Sequence, residues 1–249
     1  MTTLAPFPDG WHKATVIVAH PDDIEWGIAG AVAAWTAAGK EVSYVLVTAG
    51  EAGIDSLPPP AARVARQAEE RASGAIVGVS EIEFLGHPDG RLVEGLDLRQ
   101  DIAAAIRRHR PDVVVAQHFG ERWGSAPGAG WNSSDHRAVG RSTMDAVADA
   151  ANRWIFPDLA EEPWPGVQWI AIPDDPSRAT HAVDVSGIGD TAVRSLVAHE
   201  QYLRGLGVED PVAYATELLG GQTAGIASSF GGRAGVGFEL IRGPAAPET

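Results

Sequence analysis

Thr15-Val-Ile-Val-Ala19, followed at once by His20-Pro21-Asp22-Asp23, is the stretch that decides how this chain folds. A short apolar run rich in β-branched residues reads as a strand buried on both faces. Pro21 fixes φ directly after it and shapes a tight turn out of the strand. Outward from this point β-like and α-like segments alternate. Residues 24–39 read as an Ala-rich helix closed by Gly39, and 42–48 as the next strand. A Gly/Pro-rich loop over 49–60 leads to a charged helix over 61–77, expected to keep one face exposed. Strands over 81–85 and 112–116 flank a helix over 97–109, and the first of them ends in the turn signal His87-Pro-Asp-Gly90. A glycine-rich stretch, 119–134, carries Trp123 and Trp131, and loops that long tend to be functional. Helices over 135–153 and 190–206 and strands over 167–172 and 236–241 complete the pattern. Such alternation predicts an α/β fold, a mostly parallel sheet with helices on both faces. Without internal repeats or a low-complexity linker, residues 1–249 are expected to form a single domain.

Nineteen basic and thirty-three acidic residues leave a net charge of −14. A surface that acidic repels phosphate backbones and anionic lipid, so neither nucleic acid nor membrane is expected as a partner. No uncharged stretch reaches the roughly 20 apolar residues of a membrane span. The first fourteen residues lack an apolar run, so a cytoplasmic location is expected. Cysteine is absent. That removes disulfides, thiolate nucleophiles and Cys-based zinc sites, and leaves His and carboxylate as the only strong metal ligands.

Ligands of open parallel sheets bind at the carboxyl ends of strands, where His20-Pro-Asp-Asp23 falls. The turn can aim Asp22 and Asp23 in different directions, one toward a metal beside His20 and one toward a bound water. The competing reading is helix capping and dipole compensation by Asp22, Asp23 and Glu25. That reading gives no reason for the imidazole of His20. Asn132-Ser-Ser-Asp-His136 ends the long loop and opens the next helix, with Ser134 or Asp135 as its expected cap. Both segments sit at strand ends, so one sheet edge can unite His20, Asp23 and His136. Two His and one carboxylate with an open position suit a catalytic zinc, although non-haem Fe(II) uses the same set.

Ala19-His-Pro-Asp-Asp23 together with Asp135-His-Arg137 resembles the PIG-L/LmbE-like zinc-dependent deacetylases, which act on N-acetylglucosamine-type amides. The resemblance runs from about Thr15 to Gln201. Thr48-Ala-Gly-Glu51 resembles the family loop whose Glu lies near the sugar. Arg66-Gln-Ala-Glu69 resembles its Arg-x-x-Glu helix motif, and Phe84-Leu-Gly-His-Pro-Asp89-Gly the loop whose Asp meets substrate hydroxyls. The resemblance implies a Rossmann-like, LmbE-like single domain with zinc (Fe2+ being the alternative) on His20, Asp23 and His136. It implies Asp22 as general base, Glu51, Arg66 and Asp89 as substrate-binding groups, and Asp135 as a support behind the ligands. One position departs from the better-known branch, where a His stabilises the oxyanion and this chain has Ser133. Losing one oxyanion donor typically costs about a hundred- to a thousandfold in rate, so His118 and His199 stand beside Ser133 as candidates for that task or for a general acid.

The activity implied is removal of an acetyl or other N-acyl group from an amino sugar or glycoconjugate. An amidase on a thiol-sugar conjugate and a non-hydrolytic sugar-binding member are the alternatives. A nucleotide-binding protein would want a glycine-rich phosphate loop after the first strand, a place His-Pro-Asp-Asp occupies. Trp123 and Trp131 are expected either to cover the site or to anchor their loop.

Overall fold

The computed structural model describes residues 3–123, 128–173 and 177–247. Eight strands form one sheet: β1 (Ala5–Pro6), β2 (Lys13–Val18), β3 (Glu41–Leu46), β4 (Glu81–Phe84), β5 (Val113–Ala116), β6 (Trp169–Pro173), β7 (His181–Asp184) and β8 (Gly235–Arg242). Among the described residues seven α-helices join them: α1 (Ala29–Ala37), α2 (Pro59–Ile76), α3 (Leu96–His109), α4 (Ser134–Ala151), α5 (Gly189–Val197), α6 (Glu200–Gly205) and α7 (Pro211–Gly225). The strand order is β1-β7-β8-β6-β5-β2-β3-β4, parallel throughout except for β8, which runs antiparallel to both β6 and β7. This is the mostly parallel α/β sheet that the alternation predicts. No helix among the described residues is long and apolar enough to cross a membrane.

Strand β2 lies centrally and is covered on both faces. Val16 and Val18 join a core with α1, α5 and α7, while Ile17 joins a second core with α3 and α4. Both faces therefore need apolar side chains, so the run has no period-two pattern.

Three local departures from the expected elements shape the site. Helix α1 begins at Ala29 rather than Ile24, because Asp22 adopts φ 85° and the chain turns repeatedly before it can wind. Its N-cap is Ile28, without a side-chain cap, so Asp22 and Asp23 are not spent on capping. Helix α4 is capped by Ser133, not by Ser134 or Asp135; its side chain accepts the Asp135 N–H at 3.1 Å. The single helix expected over 190–206 is two, α5 and α6, broken at His199. Glu69 of α2 accepts the Gln201 N–H at 2.6 Å and so caps the second piece. Strands β1 and β7 have no counterpart in the expected elements; both are short, and β7 alternates buried centre with polar ends.

Candidate metal centre

His20 leaves the end of β2, Asp23 sits on the turn after it, and His136 lies in the first turn of α4. Their ligand atoms all lie within 4.8 Å of one another. His136 Nε2 is 3.0 Å from Asp23 Oδ1 and 3.2 Å from His20 Nδ1. Asp23 Oδ2 accepts the His20 backbone N–H at 2.8 Å, which fixes the turn that aims both side chains. Burial alone pushes the Asp23 carboxyl up, yet His136 and His20 outweigh it and hold the group well below the usual carboxylate range.

Each imidazole is oriented from behind. His136 Nδ1 lies 3.1 Å from Asn132 Oδ1, an acceptor that makes Nδ1 a protonated nitrogen and turns Nε2 toward Asp23. Asn132 is itself fixed, donating to the Gly120 and His118 carbonyls. His20 Nε2 lies 3.1 Å from Asp89 Oδ1 and 3.3 Å from Asp135 Oδ2, so its Nδ1 is the nitrogen turned toward the ligand set. Asp135 accepts the backbone N–H groups of Gly90 and Leu92, and Asp89 that of Ala52. Burial opposes ionisation of both carboxyls, but His20 and these backbone donors keep them below their ordinary values. Burial opposes protonation of His20, but Asp23, Asp135 and Asp89 raise its imidazole well above the ordinary value, so an ion there would take the place of a proton. The donor set fits a divalent ion: one inner ring nitrogen from each imidazole and a carboxylate, each locked by an outer partner.

Asp22 points elsewhere. Its Oδ1 accepts from Arg66 Nη2 at 2.7 Å, its Oδ2 from the Trp26 indole N–H, and its backbone N–H donates to Glu70 Oε2 at 3.1 Å. Burial raises the Asp22 carboxyl, and Arg66 only partly offsets this. Arg66 is almost wholly buried at the cavity's edge, and its guanidinium lies 3.5 Å from the centre of the Tyr202 ring. Gly50 makes room for it: at φ 64°, a Cβ there would stand 2.7 Å from Arg66 Nε. The expected exposed face of α2 is present along Val64, Ala68, Arg71 and Ala75, while Arg66, Glu69 and Glu70 lie on the buried face.

A cavity of about 1070 Å³ opens over these groups, and its wall includes His20, Asp22, Asp23, Asp89, His118 and His136. Ser133 and Arg66 also line it, whereas Glu51 and His199 do not. Glu51 accepts from Arg63 and from the Asp89 backbone N–H, so it braces the Asp89 loop. His199 is fully buried, with Nε2 3.3 Å from Glu25 and 3.8 Å from Glu70. His118 donates from Nε2 to the Arg122 carbonyl and stacks on Trp123, whose ring meets His136 edge-on at 5.2 Å. Trp131 is exposed between Arg122 and Arg137 and stays off the cavity wall. Asn132, Trp26, Glu70 and Tyr202 were not singled out by the sequence. Only Asn132 carried a signal, four residues before a ligand His on a helix-opening segment.

Residues 15–147 match the PIG-L family, described as GlcNAc-PI de-N-acetylase. The chain belongs to the PIG-L family. A diacetylchitobiose deacetylase of Thermococcus kodakarensis is 32% identical over 147 residues, 58% of this chain and 52% of that protein. The chain spans little more than half the length of the first curated relatives it matches. Among solved folds, the N,N'-diacetylchitobiose deacetylase of Pyrococcus horikoshii superposes with a TM-score of 0.78 at 24% identity, covering 94% of this chain and 85% of that one. A 4-carboxy-2-hydroxymuconate hydratase from Pseudomonas putida shares the fold at a TM-score of 0.65 and 19% identity, covering 96% of this chain and 98% of that one. The PIG-L fold thus frames more than one chemistry, and the site must decide between them.

Proposed function

We propose that this PIG-L family protein is a divalent-metal-dependent amide hydrolase that removes the N-acetyl or another N-acyl group from an amino sugar or a sugar-bearing metabolite. The observation that carries this reading is the division of labour at the end of β2. Asp23 faces two imidazoles, while Asp22, one residue earlier and in the same cavity, is held away from them by Arg66 and Trp26. His20, Asp23 and His136 would hold zinc, with Fe(II) as the alternative. Such an ion lowers the pKa of water toward about 7 and polarises the amide carbonyl.

Asp22 then accepts the proton that the attacking water loses. Its carboxyl is raised by burial, which makes it a stronger base than a surface aspartate. Arg66 and Trp26 hold one oxygen each, so the carboxylate keeps one orientation while it takes the proton and returns it to the departing amine nitrogen. Ser133 uses a lone pair, not its hydrogen, to cap α4, so the hydroxyl hydrogen can be donated toward the developing oxyanion. His118, on the same wall, is the second candidate for that role, which it fills only as an imidazolium, because its Nε2–H is given to the Arg122 carbonyl. Asp89 and Arg66 border the side where a sugar's hydroxyl groups would lie, with Glu51 bracing Asp89 from behind.

The test is release of free amine from N-acetylglucosamine conjugates by purified protein loaded with zinc or Fe(II). Turnover is expected to stop with a chelator and return on reloading. Release indifferent to chelator, or none from any N-acyl amino sugar, overturns the proposal.

A further inference from the structure

The cavity reaches well past the metal cluster, and its two ends differ in chemistry. On the β3/β4 side of β2 its wall is Gly50, Gly53, Arg66, Asp89 and Gly90, rich in charge and backbone. On the other side it runs over β5, β6 and β8, where Ile28, Val115, Pro173, Ile226 and Val236 line it. Strand β8 lies three places from β2 in the sheet order, which at the ordinary strand spacing is about 14 Å. An acetyl group ends in a single methyl and cannot reach that far. Gln222 and Thr223, in the last turn of α7, edge this arm.

A scissile amide presents its nitrogen and its carbonyl carbon to opposite sides of the group that activates it. The hydroxyl-bearing sugar needs the polar end, which leaves the acyl carbon facing the apolar one. From this two-ended wall, and resting on the amide-hydrolase reading above, we infer that the preferred substrates carry an N-acyl chain considerably longer than acetyl. The reaction remains hydrolysis: the C–N bond breaks, water's oxygen bonds to the acyl carbon, and the protons leave with the amine and the fatty acid. Each buried methylene that moves from water into the arm strengthens transition-state binding by about fourfold.

The experiment compares kcat/KM for N-acetyl-, N-butanoyl-, N-hexanoyl- and N-octanoylglucosamine, with the octyl glycoside of N-acetylglucosamine as a second arm. The values are expected to climb by about fourfold per methylene until the arm is full. Calorimetry on metal-free protein is expected to find octanoate bound and acetate not, a readout independent of turnover. Val236→Phe should cut the gain for the longer chains and leave the acetyl substrate unchanged. Acetyl turned over as fast as or faster than the longer acyl groups overturns this inference while leaving the hydrolase reading intact. A gain confined to the octyl glycoside also overturns it, because the arm would then serve the aglycone. Failure to cleave any of the amides removes the hydrolase reading itself.

Discussion

Two of the histidine–carboxylate clusters among the described residues, one on the cavity wall and one fully buried, make an instructive contrast. One is His20, Asp23 and His136; the other, beneath the turn that precedes α1, is Glu25, Glu70 and His199. In each, a histidine nitrogen approaches carboxylate oxygens closely enough to share an ion. They differ in what the remaining atoms do. In the first, Asn132 and the Asp89/Asp135 pair take the outer ring nitrogens, and the inner ring nitrogens converge on a cavity wall. In the second, one oxygen of each carboxylate is spent on structure and the other is left without a hydrogen-bond partner. Glu25 accepts from the Ser73 hydroxyl, Glu70 accepts the Asp22 N–H, and every member is sealed. Ligand-type residues alone do not make a metal centre; orientation by outer partners and an open side do.

The comparison breaks most visibly at the paired aspartates. Asp22→Asn is expected to keep the metal and lose activity by about a hundred- to ten-thousandfold. It also turns an amide N–H toward Arg66 or Trp26, so some stability should go with it. Asp23→Ala is expected to lose the metal outright. Metal content by atomic emission beside turnover separates the two, and equal metal loss in both variants would erase the division of labour. Asn132→Ala should weaken metal affinity by about ten- to a hundredfold without touching a ligand. Competition titration against a chelator measures it, and an unchanged affinity would reduce Asn132 to a loop anchor.

Glu70→Gln sharpens the other side, with the smallest effect. Burial, and then the neighbouring Glu25, raise the Glu70 carboxyl well above its ordinary 4.5. The folded protein therefore holds this proton more tightly than the unfolded chain does. Its stability falls as pH rises from 4.5 through the folded pKa, and the cost is fully present above that value. Gln keeps an acceptor for the Asp22 N–H and removes this titration. The Tm of the variant relative to the parent should thus improve from pH 4.5 toward neutrality, with metal content unchanged. A difference that stays flat or shrinks with pH would place the charge elsewhere.

Much of this was legible from residues 15–23. A strand apolar on both faces announced the parallel sheet, and its polar ending located the site. The sheet edge that brings His136 to His20 follows from topology, so spacing along the chain was no obstacle. What stayed hidden depends on contacts that local pattern does not encode. Trp26 reads as an ordinary helix residue until Asp22 takes a left-handed φ and delays α1, swinging the indole toward the carboxylate. Arg66 and Glu70 look like solvated helix charges; their partners come from the turn after β2, more than forty residues away. His199 shared the residue type of the ligands but belongs to the sealed cluster, a fact set by the break between α5 and α6. Strand β7 is short with polar ends and is recruited by its neighbour β8, which leaves little trace in its own sequence.

Anomalous difference density at the zinc edge, from crystals soaked in zinc, tests the central claim most directly. A single strong peak bounded by His20, Asp23 and His136, with none between Glu25, Glu70 and His199, is the predicted result. No peak at the first cluster, or a peak held by Asp22 in place of Asp23, would contradict it.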